Sequence, residues 1–247
     1  GQWYKQQTRE YQQPDLGYKL NLVLDRIPQL ALLPALLQPA YRLASVLLFS
    51  LTTTTYQPST KDSYIRNTTA GTNYGTDITL SIGNGVQASG DNKTRTLLHF
   101  DITDIPNNAT FTQGDISLYQ YDYFYYEAET LYMYRLTHTN WTEAGVTWNK
   151  YDGTNAWTTA GGDYTTTNGV SRASDCTAGW KIWSSATLIQ DCYNNQSKNV
   201  HLIGIMTTNG DNRDQQKYYS NNYTTNTSLR PKLTVTYTVP ANFFPFF

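Results

Sequence analysis

Between Arg95 and Tyr119 the chain reads RTLLHFDITDIPNNATFTQGDISLY, and the first part of it alternates. Leu97, His99 and Asp101 fall on one side, Leu98, Phe100 and Ile102 on the other. A period of two belongs to a β-strand, because successive side chains leave opposite faces of the pleat. Ile105-Pro106 and Asn107-Asn108 follow, and an apolar run resumes at Ile116, Leu118 and Tyr119. Proline and asparagine suit turn geometry, so two strands joined by a compact connection are predicted.

The same grammar recurs along the chain. Strands are predicted at 78–82, 95–101, 115–123, 130–137, 201–207 and 232–239, with Gly, Asn and Thr turns between them, the spacing of an all-β sandwich. One segment departs from it: in SSATLIQDCYN, Leu188, Ile189 and Cys192 recur at helical spacing behind a serine cap, which predicts a short helix. Charged residues make up 15% of the chain and the net charge is -1, with Lys and Arg scattered. Nucleic acid is held through clustered cations, so a nucleic-acid partner is not expected.

Four blocks, in order, carry a family resemblance: Asp62-Ser63-Tyr64-Ile65 with Thr72-Asn73-Tyr74-Gly75; the Phe100-Asp101, Ile105-Pro106 and Leu118-Tyr119 series; Asn140-Trp141-Thr142-Glu143 with Val146-Thr147-Trp148-Asn149, Trp157 and Gly161-Gly162; and Arg230-Pro231-Lys232-Leu233-Thr234-Val235. The chain from Tyr56 to Tyr237 thereby resembles the DNRLRE domains, extracellular β-sandwich modules related to disaggregatase repeats and carbohydrate-binding modules. The resemblance implies a jelly-roll-type antiparallel β-sandwich that recognises an extracellular polysaccharide and does not catalyse. It also implies that Glu143 orients backbone amides.

For a ligand platform the candidates are aromatic. Tyrosines number 21. Tyr119, Tyr121, Tyr123 and Tyr125 recur at period two, and Tyr132 and Tyr134 repeat the spacing on the next predicted strand. Leu118, Leu131 and Met133 supply an inward set, so the tyrosine rows are expected to face outward and offer sugar rings a flat apolar surface. Arg135, at the end of the second row, is expected to pair with the carboxylate of an acidic sugar. His99 and His201 sit inside apolar strands and read as hydrogen-bonded structural residues. No nucleophile elbow, HExxH or phosphate loop is present. No cofactor is expected beyond a structural calcium, for which Gly90-Asp91-Asn92 and Gly210 to Asp214 are oxygen-rich candidates. Cys176 and Cys192 flank a strand and the short helix, and pairing between them is left open, since an extracellular setting permits it.

Residues 1–51 differ in kind: from Leu20 onward the segment is Leu-rich and helix-like, broken by Pro28, Pro34 and Pro39. It is expected to be a helical attachment segment that packs on a protein partner or on the sandwich, with membrane anchoring as the second reading. Residues 52–239 are expected to form the sandwich, with Thr52 to Thr60 a polar connector, and 240–247 a Phe-rich tail. A module carried with a sticky arm suits a virion or cell-surface assembly, with homo-oligomers allowed. The competing reading is a structural surface or decoration protein whose sandwich makes protein contacts.

Overall fold

The computed structural model describes residues 49–85, 92–124, 128–206 and 214–240. The Leu-rich segment up to residue 48, Tyr125, most of both acidic loops and the tail from 241 lie outside the described residues. Among the described residues eleven antiparallel strands form one curled sheet: β1 (Phe49–Tyr56), β2 (Lys61–Arg66), β3 (Thr79–Asn84), β4 (Lys93–Asp101), β5 (Thr110–Phe124), β6 (Thr130–Leu136), β7 (Tyr164–Ala173), β8 (Gly179–Ser184), β9 (Asn199–Met206), β10 (Asp214–Tyr219) and β11 (Lys232–Pro240). The order is β1-β11-β5-β10-β3-β4-β9-β6-β7, with β2 on β4 and β8 on β5. The all-β sandwich expected from the alternation is the fold observed.

Two long strands let the sheet curl. β5 pairs along one edge with β11 and then β10, while Asp115 to Gln120 pair with β8 on the other. β4 likewise divides one edge between β3 and β9, with β2 opposite. Leu118, Trp183, Leu233 and Val235 thereby meet Leu98, Phe100, Met133 and Leu202 in the main core. α1 (Ala186–Asn195) closes it with Leu188, Ile189, Cys192 and Tyr193. Ser185 caps that helix, its Oγ accepting from the Leu188 amide at 3.1 Å, a contact that contributes about 1 kcal/mol.

The alternation of β4 has a second consequence. Leu97 points away from the main core into another cluster, with Ile203 and Ile205 of β9 and Tyr134 and Leu136 of β6. Ile65 of β2 and Trp141, Val146 and Trp157 of the 137–163 connection cover it. Strands β4, β9 and β6 are therefore buried on both faces, and the connection forms a third layer.

Four strands, β1, β2 (KDSYIR), β7 and β10, escaped the sequence reading because most of their residues are polar. β7 reads YTTTNGVSRA and β10 reads DQQKYY. β1 starts before the expected connector 52–60 and runs into it as far as Tyr56, pairing residue by residue with β11. Thr53 and Thr55 there hydrogen-bond Thr236 and Thr234 across the ladder, both at 2.9 Å. Threonine is β-branched and supports strands without being apolar.

Candidate functional site

The tyrosine row of β5 is interrupted by its register. Tyr218 lies opposite Gln120 and Lys217 opposite Asp122, so Tyr121 is an extra residue at a β-bulge. Beyond the bulge the faces exchange. Tyr123 lies opposite the fully buried Gln216, on the face away from Tyr119 and Tyr121, and is 43% exposed only because the strand ends there. Tyr119 and Tyr121 remain together and interleave with Tyr219 of β10, at centroid distances of 6.0 and 4.5 Å, and Tyr219 stacks on Tyr223 at 3.7 Å. Trp180 of β8 meets Tyr119 edge-on, and Lys232 Nζ lies 4.0 Å from its centroid. The hydrogen bond that Tyr219 donates to Tyr223 holds the Tyr219 proton and pushes its hydroxyl up to about 12. Rings stacked on one another cover their faces and present edges and hydroxyls to water, so this stack is a hydrogen-bonding comb rather than a flat platform.

The second row lies elsewhere. β6 follows β5 in sequence but β10, β3, β4 and β9 intervene in the sheet. Tyr132 and Tyr134 are on the outer face of β6, under the third layer, and Tyr134 is 9% exposed. Arg135 does not join them. Period two turns it to the face of Leu131 and Met133, where Nε pairs with Asp191 of α1 at 2.5 Å. Arg135 therefore ties β6 to the helix. Cys176 and Cys192 are both free thiols in this structure: Cys176 is exposed, while Cys192 is buried against the core, where desolvation pushes its thiol up.

What the β6 row does meet is Tyr164, the first residue of β7. Tyr132, Tyr134 and Tyr164 stack at 5.3 and 5.5 Å. Tyr164 is half-buried and lines two cavities. The larger, about 520 Å³, is bounded by Thr137, Thr158, Thr159, Gly162 and Asp163. The smaller, about 230 Å³, has Asn84, Lys93, Thr94, Arg95 and Met206 in its walls. The volume of the larger falls in the range of ordinary small-molecule sites.

The loop that builds this groove is held in place by its glycines. Gly161 and Gly162 have φ of +95° and +104°, which side-chain-bearing residues rarely adopt. A Cβ on Gly161 would lie 2.7 Å from the Trp148 ring, and one on Gly162 would lie 2.8 Å from Ile203. The tight turn brings Asp163 back to accept the amides of Thr158 and Thr159 at 2.7 and 2.8 Å. Arg95 is fixed between Trp148 (4.9 Å) and Tyr164 (5.7 Å), donating to the Gly161 carbonyl at 2.7 Å. Thr137, Thr158 and Thr159 stay exposed. Exposed hydroxyls beside one flat ring, with cationic side chains beyond it, can hold a polyhydroxylated chain. Asp163 is the carboxylate in the wall of the larger cavity.

Sequence reasoning missed Tyr164, Lys93 and Arg95. The signal was the Gly-Gly pair: a left-handed turn immediately before an aromatic residue that opens a strand.

The sequence model of carbohydrate-binding module family 96 matches residues 53–237. No curated protein matches the chain. The match takes in both stacked aromatic systems, the bulged β5 and the whole groove around Tyr164, and its description names carbohydrate binding without the DNRLRE label that the motifs had brought forward. A match running from β1 to β11, over a sandwich whose one groove-lining tyrosine is flanked by threonine hydroxyls, shows that the chain belongs to carbohydrate-binding module family 96.

Proposed function

We propose that this domain binds a polysaccharide chain, without cleaving it, along the groove that passes over Tyr164. The carrying observation is that one half-buried tyrosine, at the end of the Tyr132–Tyr134–Tyr164 stack, forms a wall of both cavities, so a chain passing against it has threonine hydroxyls on one side and Lys93 and Arg95 on the other. That second wall favours an acidic sugar, the role first expected of Arg135. Family membership supports the ligand class.

Tyr164→Ala weakens binding by roughly 1–3 kcal/mol, about 5- to 150-fold in Kd, by analogy with loss of aromatic stacking to other flat ligands. The check is calorimetric titration against a panel of neutral and uronate-containing polysaccharides, with a thermal melt alongside. Binding to an acidic chain also weakens with added salt, because charges near the surface are screened. Unchanged affinity in a folded Tyr164→Ala protein removes the groove from consideration and returns attention to the stack of Tyr119, Tyr121, Tyr219 and Tyr223.

The setting that fits this activity is extracellular, on a cell surface or a virion, with the Leu-rich segment attaching the module to a protein partner. Because β1 begins at Phe49, the boundary belongs before it rather than at residue 51. A protein lacking residues 1–48 is expected to melt cooperatively and keep its glycan affinity while losing attachment. Loss of cooperative melting in that truncation makes the segment part of the folded domain.

The structural-protein reading draws on a different surface. Phe124 and Ile182 are 44% and 48% exposed on β5 and β8, strands that also carry the tyrosine comb, as a protein contact would require. A chain that forms an obligate oligomer with this comb buried, and shows no glycan affinity, decides for that reading.

A further inference from the structure

Asp62 opens a second question, because it is a carboxylate with 1% exposure and no basic partner in hydrogen-bond contact. Its Oδ2 accepts from Ser59 Oγ at 2.6 Å and from the Asn221 amide at 2.9 Å. Its Oδ1 is buried with no partner among the described residues. The side-chain oxygen of Asn221 is also buried and without a partner, while Asn221 Nδ2 donates to Glu143 Oε1 at 3.2 Å. The same Glu143 oxygen accepts the Asp62 amide at 2.9 Å. Three residues from distant segments are thus joined through the backbone amides of Asp62 and Asn221 and the Asn221 side chain, and one acceptor oxygen each of Asp62 and Asn221 is left over.

A buried acceptor needs a donor or a cation, and leaving it bare costs about 1–3 kcal/mol, more when it is charged. The nearby basic side chains are engaged elsewhere. Lys61 Nζ donates to the Trp141 carbonyl at 2.5 Å and lies 4.4 Å from that indole's centroid. Arg230 Nε donates to the Tyr223 carbonyl at 2.7 Å.

We propose that Asp62, Glu143 and Asn221 form a binding site for a calcium-class divalent cation. The donor set is all oxygen, from carboxylates and an amide, which suits a hard cation and not zinc, whose preferred ligands are Cys and His. Calcium accepts six to eight oxygens in flexible geometry, and the half-exposed Glu143 leaves an approach for the waters that complete its shell. Magnesium demands a stricter octahedron. The ion would pin the start of β2 and the turn after β10 to the Trp141–Val146 segment, on which the glycan groove's third layer rests. This site uses none of the residues of the acidic segments at 90–92 and 210–214, and it does not depend on the glycan reading.

Terbium is the direct probe, since Trp141 is fully buried two residues from Glu143 and can sensitise its emission. The full chain is titrated with terbium at neutral pH. Saturable emission displaced by calcium is expected. Calcium at a hundred times its Kd is expected to raise the melting temperature over an EDTA-treated sample by roughly 5–10 °C. Both effects should vanish in Asp62→Asn and, should that variant not fold, in Glu143→Gln at the more exposed position. Equal melting in calcium and EDTA with no sensitised emission overturns the proposal and leaves a proton shared by Asp62 and Asn221 as the occupant. Calcium stabilisation that survives both substitutions overturns it equally, by putting the ion at another site.

Discussion

Trp141→Ala is expected to lower stability by about 3–5 kcal/mol, the range for deleting a fully buried indole, and to weaken glycan binding with it. The indole fills the second cluster between Ile65 and the β4–β9 face. Its Nε1 donates to His201 Nδ1 at 3.2 Å. Removing it leaves that nitrogen without its donor and takes away the ring beneath Lys61. The same residue anchors the beginning of the connection whose far end carries Thr158, Thr159 and Asp163, so the larger cavity loses its support. Chemical denaturation measures the first effect and titration of the refolded variant the second. A loss under 1 kcal/mol with intact binding would show that the third layer stands without its first tryptophan.

Acidification produces the other large effect. His99 and His201 are cross-strand partners on β4 and β9, stacked at 4.2 Å, and 9% and 5% exposed. Desolvation lowers both, followed for His201 by the neighbouring His99 and Lys61, and His201 falls to about 3. His201 must also stay unprotonated at Nδ1 to accept from Trp141. Both folded-state values are depressed below the unfolded value of 6.5. The unfolded chain therefore takes up protons first as pH falls. The stability these residues contribute is complete above about pH 6.5 and is lost progressively toward pH 3.

At pH 4 the loss through His201 alone is about 3 kcal/mol, taking roughly 1.4 kcal/mol per pH unit. That corresponds to roughly 6–12 °C in a domain of this size. Asp62 works in the opposite direction while no cation is bound, because its raised value strengthens the fold as pH falls below 7. The measurement is accordingly a difference: melting temperatures at pH 7 and pH 4 for the parent and for His201→Asn, whose amide oxygen can still accept the indole proton. The gap between the two pH values should shrink by most of that loss in the variant. An unchanged gap would show that the imidazole charges without penalty.

Much of the sandwich was legible because the signals are local. Alternation at 95–101 marked a strand with two faces, and both are buried, Leu97 in one cluster and Leu98 in the other. Ser185 ahead of Leu188, Ile189 and Cys192 marked the helix that is observed. The structural roles read for His99, His201 and Glu143 match their hydrogen bonds. Polar strands were missed: threonine and glutamine serve a ladder as well as valine when a neighbouring strand supplies the pairing, and nothing in β10 taken alone shows that β3 and β5 flank it.

The tyrosines divide the problem most clearly. Period two already separates Arg135 from Tyr134, and on that count the chain itself held the answer. It also set the aromatic and hydroxyl chemistry from which a carbohydrate surface is built. Where those rings meet was decided by tertiary structure. One extra residue at Tyr121 turns Tyr123 to the other face, and sheet order places four strands between two rows that are neighbours in sequence. Tyr164 becomes the centre of a groove only because a Gly-Gly turn folds the 137–163 layer down beside β6. Side-chain alternation is a property of one strand. Register, strand order and the layer that covers a face arise from pairings between segments tens to more than a hundred residues apart, and those contacts exist only in the folded chain.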